Sequence, residues 1–173
     1  ALLLYRRLLA QQPDTSVAIV VVGMTTNLRD LLTSQPDTIS SLSGKELVGR
    51  KVKLLSVMGG RYPAGLEFNF ELDAAATEHV LNEWPTPIMF SGYEIGEEIL
   101  TGARLFTETP PDNPVRAAYH LWDLHFARRF EPDFDPSTGI WPHSSFDQTA
   151  VLYAVRGLRD YWTAQTTGRN VLL

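Results

Sequence analysis

Two stretches of this chain leave few architectures open. "SVAIVVVG" (Ser16–Gly23) and "KVKLLSVMGG" (Lys51–Gly60) are uninterrupted apolar runs rich in β-branched side chains. Such side chains suit a pleated surface, and a strand with no polar face is one buried on both sides. Between them, "TNLRDLLTS" reads as a short helix, and "SGKE" (Ser43–Glu46) as a capping box that opens another helical turn. Buried strands alternating with helices predict a mostly parallel α/β sheet flanked by helices.

The rest of the chain extends the pattern. Leucines and a tyrosine at helical spacing over 2–11 stop before Pro13. A helix is expected from about Asp73 to Trp84, then a short third strand, "PIMF" (Pro87–Phe90). "SGYE" (Ser91–Glu94) matches a second capping box, with Ile95 and Ile99 behind it. "NPVRAAYHLWDLHFARRF" opens as a helix, with Asn113 as cap and Pro114 in the first turn. A loop rich in Asp, Pro, Ser and Gly follows from about Glu131 to Ser145, and a last helix starts near Asp147. No internal repeat or domain boundary stands out. In parallel α/β sheets, ligands collect at the carboxyl ends of the strands. The junctions "GMTTN", "MGGRYPAGLEFNFELD" and "SGYE" fall there.

Composition narrows the classes of function. At 173 residues and 44% hydrophobic, the chain is long enough for one sizeable core. No run approaches the roughly 20 apolar residues of a membrane span. A formal net charge of -5 argues against a general nucleic-acid footprint. With no cysteine, thiolate nucleophiles and thiolate metal sites are excluded. Cysteine usage does not fix the compartment, and a cytoplasmic location is the default. The arginines of "ALLLYRRLLAQQPD" sit inside the apolar pattern rather than before it, unlike a signal peptide. That start reads as an amphipathic helix entered midway, so the chain is expected to be a segment of something longer.

The most unusual stretch is "GLEFNFELDAAA" (Gly65–Ala76). In an extended segment, side chains alternate faces. Phe68, Phe70 and Leu72 would then anchor the segment in the core, while Glu67, Asn69 and Glu71 face away. A carboxylate and a carboxamide two residues apart suit a clamp on vicinal hydroxyls. The plainer alternative is an edge strand with one wet face. Asp73 and Asp147 read first as helix caps and second as ligands for a hard cation. Glu94, Glu97 and Glu98 read as a solvated helix start. His79, His120 and His125 fall within expected helices. His143, in the loop before Asp147, is the one histidine considered for acid catalysis.

"VVVGMTTNL", "MGGRYPAGLEFNFELDAAA" and "SSFDQTAVLYAV", in that order, resemble the inosine-uridine-preferring nucleoside hydrolases, over about Ala1 to Leu158. The resemblance implies a Rossmann-like sheet and hydrolysis of the N-glycosidic bond of ribonucleosides or related N-ribosides. It also implies a calcium ion that binds the nucleophilic water and the ribose 2′ and 3′ hydroxyls. By the same resemblance, Thr26 would offer its backbone carbonyl to calcium and Asn27 would brace the loop. Met58 and the glycines would line the ribose pocket, Glu67 and Asn69 would grip its hydroxyls, and Asp73 would buttress them. Asp147 would ligate calcium. The implied partner is a small-molecule nucleoside, with homo-oligomerisation left open.

Three departures accompany the likeness. The family's amino-terminal "DTDxGxDD" cluster has no match, and "GRNVLL" ends short of a full hydrolase, so one incomplete domain over 1–173 is expected. The loop "RYPAG" is short and lacks a sugar-contacting asparagine. Phe146 stands where many members carry an acid histidine; Arg61, Tyr62 or His143 are the candidates to replace it. A non-catalytic ribosyl-binding module with the same fold is the alternative.

Overall fold

The two apolar runs do form strands. In a computed structural model describing residues 1–168 and 170–172, the elements follow in chain order. They are α1 (Leu2–Ala10), β1 (Val17–Val21), α2 (Thr26–Thr33), α3 (Gly44–Lys51), β2 (Val52–Met58), α4 (Phe68–Leu72), α5 (Ala74–Glu83), β3 (Ile88–Ser91) and α6 (Tyr93–Glu98). Then come β4 (Leu100–Thr101), α7 (Leu105–Glu108), α8 (Pro114–Trp122), a π-turn (Asp123–Ala127), α9 (Arg128–Phe130), β5 (His143–Ser144) and α10 (Phe146–Arg156). The chain divides into two compact units: Ala1–Ile95 with Phe146–Leu173, and Gly96–Ser145.

The first unit holds the parallel sheet, in the order β1-β2-β3. Val21 pairs with Val57, and Met58 with Ser91, so the strands end level with one another. Leu55 and Val57 are buried in the sheet beside Leu31, Val48 and Val80 from the helices. The helix α10 returns from the end of the sequence to the sheet: Ser56 Oγ donates to the Ala150 carbonyl at 2.8 Å, and the Ser91 and Thr149 hydroxyls share a hydrogen bond.

Side-chain capping explains four of the helix starts among the described residues. Ser43 Oγ accepts from the Glu46 amide, and Glu46 accepts from the Ser43 amide at 2.8 Å, completing the expected box. Asn113 caps α8 through the amides of Val115 and Arg116. The box expected at "SGYE" does not form. Ser91 closes β3 and turns its hydroxyl to Thr149, while Glu94 accepts from the amide of Tyr62 at 3.0 Å. Arg6 of α1 is a buried charge of this unit: at 1% exposed, it donates to Asp37, Ser34 and the carbonyls of Ser40 and Leu42.

The second unit pairs β4 with β5 antiparallel, and β5 lies within the stretch that the sequence reads as loop. Its helical run breaks at the π-turn, where the fully buried Asp123 accepts from the Trp141 amide at 2.9 Å.

Candidate active site

The ends of β2 and β3 carry the polar groups. Beyond Met58, the Gly59 amide continues the ladder onto the Ser91 carbonyl. Gly59 lies against the ring of Phe70, with no room for a Cβ. Gly60 then turns the chain at φ +79°, a conformation that favours glycine. Its amide donates to Glu67 at 3.1 Å, and its carbonyl accepts from the Tyr93 amide at 2.9 Å.

Glu67 corrects the expected strand. Residues 68–72 form a helical turn, not an extended segment, and Glu67 is its cap. Its carboxylate accepts from the amides of Asn69 (2.9 Å) and Phe70 (3.1 Å) as well as from Gly60. Those amides have no partner inside the first turn, so a buried carboxylate satisfies them and sets the backbone. Alternation is lost with the strand. Phe70 alone reaches the core, at 6% exposed, while Phe68 and Leu72 are 69% and 50% exposed. The two phenylalanines therefore do not anchor one common face.

Met58, Glu67 and Asn69 do come together. Asn69 Nδ2 reaches the Met58 carbonyl (3.3 Å) and its sulfur (3.1 Å), which leaves Oδ1 as an acceptor. An ionised carboxylate offers about four lone-pair sites. Three backbone amides occupy Glu67, so about one remains.

Asp147 lies in the first turn of α10. It keeps an exposed side, yet the protein packed around its carboxyl raises its pKa, and the negative charge of Glu67 raises it further. The two carboxylates are thus close enough to interact electrostatically. Asp73 caps α5 through the Ala76 amide and accepts from Thr26 Oγ1 at 2.6 Å. The Thr26 bond, then the Ala76 amide, hold the Asp73 carboxyl below its usual range. Asn27 is exposed in the first turn of α2, and its side chain makes no hydrogen bond among the described residues. The link between this turn and α5 runs through Thr26 and Asp73, with Thr25 bonded to Thr77 beneath it.

Arg61 and Tyr62 line one cavity with Glu67. Arg61 lies over the ring of Tyr93 at 4.7 Å, and Tyr93 stacks on Phe146 at 4.9 Å. Burial, then the charges of Glu94 and Glu67, push the Tyr62 phenol up to about 12. His143 belongs to the second unit. Its Nε2 is 3.0 Å from Asp123 Oδ1, and its ring meets Trp122 and Tyr119 edge-on.

The sequence model of the family described as inosine-uridine preferring nucleoside hydrolase matches residues 1–171. The chain belongs to this family. Searches among curated proteins and among solved structures returned no match. The parallel sheet of the first unit is consistent with the nucleoside hydrolase fold, and membership supports nucleoside hydrolase-type activity on small nucleosides. Nucleoside hydrolases of this family generally depend on calcium. Among the described residues, no three His, Cys, Asp or Glu side chains come together to hold a metal. Calcium takes six to eight oxygens, so these residues do not compose a full shell, although Asp147 has the chemistry of one ligand. No helix among the described residues is long and apolar enough to cross a membrane.

Proposed function

We propose that this nucleoside hydrolase family member hydrolyses the N-glycosidic bond of ribonucleosides or related N-ribosides at the carboxyl ends of β2 and β3. One observation carries the reading: Glu67 and Asn69 are fixed to the same strand end, and Asp147 is near enough to feel the charge of Glu67.

In the reaction, the C1′–N bond breaks and its electron pair leaves with the base. The ribose gains oxocarbenium character, and water supplies hydroxyl to C1′ and a proton to the base. The free acceptor sites of Glu67 and Asn69 accept hydrogen bonds from ribose hydroxyls and fix the sugar. The negative charge of Glu67 and Asp147 opposes the positive charge growing on the ring. Met58 forms the wall beside Asn69. Thr26 and Asp73 hold the neighbouring turn. In this reading, Asp147 and the Thr26 carbonyl are two oxygens available to calcium. Calcium, when bound, would lower the pKa of its water and orient a sugar.

Phe146 favours one other reading. Its ring stacks on Tyr93 and has no proton to give, as suits a ribosyl-binding module without turnover. Release of ribose from inosine and uridine, measured beside calorimetric binding of ribose with and without calcium, separates the two. Turnover supports the hydrolase. Binding without turnover supports the module, and absence of both overturns the site.

A further inference from the structure

Departure of the base is the half of the reaction left without a partner. The base leaves with an electron pair, and the groups that face the ribose are carboxylates, which cannot stabilise that charge. Phe146 has no donor. Tyr62, with its phenol pushed up to about 12, resists giving up a proton.

Resting on the proposed hydrolase reading, we infer that Arg61 is a catalytic residue whose guanidinium stabilises the departing base. Its donors are free: among the described residues, the guanidinium makes no hydrogen bond or ion pair. An unengaged cation on an exposed surface would ordinarily swing through solvent. This one is held on both sides along the chain. The Gly60 carbonyl accepts from the Tyr93 amide (2.9 Å), and the Tyr62 amide donates to Glu94 (3.0 Å). The side chain then lies over Tyr93, with its stem beside Gly65, where an added Cβ would meet Arg61 Cδ at 2.8 Å. Tyr93 stacks on Phe146, the residue next to Asp147. Arg61 and Glu67 line one cavity, so the loop carries a positioned cation beside the Glu67 carboxylate, at little further ordering cost when a ligand arrives.

The chemistry follows from the charge. Arginine stays protonated in proteins, so it transfers no proton. As C1′–N breaks, the electron pair moves into the base, and guanidinium N–H groups donate hydrogen bonds to the ring nitrogen or exocyclic oxygen where negative charge gathers. The proton that neutralises the base comes from water, whose oxygen forms the new bond at C1′.

The test is a leaving-group comparison on the full chain. Wild type, Arg61→Ala and Arg61→Lys are assayed on inosine, uridine and 4-nitrophenyl β-D-ribofuranoside, whose phenolate departs without help. Arg61→Ala should lower kcat on the nucleosides by about 100-fold and leave the nitrophenyl riboside unchanged, with Arg61→Lys restoring part of the nucleoside rate. An equal loss on all three substrates, or no loss on any, overturns the role of Arg61 while leaving the hydrolase reading intact. A wild type that cleaves none of the three overturns the hydrolase reading itself and the inference with it.

Discussion

Glu67 accepts the backbone amide of Gly60 at 3.1 Å while it caps α4, so one carboxylate joins the end of β2 to the start of the next helical turn. In the proposed reading, the residue that accepts from a ribose hydroxyl is also the residue that shapes the loop presenting it.

Substitutions at 67 and 69 should therefore differ in kind. Glu67→Ala leaves three amides without their acceptor, a loss of about 1–3 kcal/mol in stability for buried donors, together with weaker ribose binding. Asn69→Ala gives up only the contacts of Nδ2 with Met58. It should weaken ribose binding with a stability cost of about 1 kcal/mol or less. Thermal melts beside ribose calorimetry check both; ribose affinity unchanged in both variants would rule out the clamp.

Gly59 is a packing position. A methyl group there runs into the Phe70 ring. Gly59→Ala should cost about 1–3 kcal/mol, typical of overpacking, seen as a lower midpoint in urea. A paired Phe70→Leu change should recover part of it.

Asp147 is destabilised as a carboxylate. Its folded pKa is raised above 3.8, so folding loses free energy as pH rises through 3.8 to the folded value, and the deficit is complete above it. Asp147→Asn should raise the melting temperature at neutral pH and weaken calcium binding. Stability that does not rise, with a calcium isotherm that does not change, would reduce Asp147 to a residue of the first turn of α10.

Asp37 has the opposite sign. The Arg6 hydrogen bond, helped by the Ser40 and Ile39 amides, lowers its pKa from 3.8 to about 2. Its stabilisation is present above 3.8 and is lost as pH falls toward 2. The Asp73 carboxyl, lowered by Thr26, adds to the same acid limb. Asp37→Asn should flatten that limb in melts taken between pH 5 and pH 2, and a limb of unchanged slope would show that the pair is not what fails in acid.

How far the sequence reached depends on whether the deciding contacts are local. β1 and β2 were legible because an apolar β-branched run has few other uses, and the box at Ser43 and the cap at Asn113 because a cap is written within four residues. The segment 67–72 was misread as a strand because a short capped turn and a half-buried strand share one alternating pattern. What separates them is the Glu67 carboxylate on the Gly60 amide, seven positions back. "SGYE" failed as a box because Ser91 bonds Thr149, 58 positions away. The nearness of Glu67 to Asp147, and the seat of Arg61 on Tyr93, are tertiary facts with no spacing to announce them.

The first unit is discontinuous, and its last helix docks by a bond from Ser56 to Ala150, 94 positions apart. During synthesis, the strand end and Glu67 emerge first, and Asp147 follows only after all of Gly96–Ser145 has been made. At about 5–20 residues per second, the nascent chain spends several seconds with its sheet uncovered where α10 will lie. The ribosome thus delivers Glu67 and Asn69 before Asp147, and a chain truncated within that interval carries the pair without the second carboxylate.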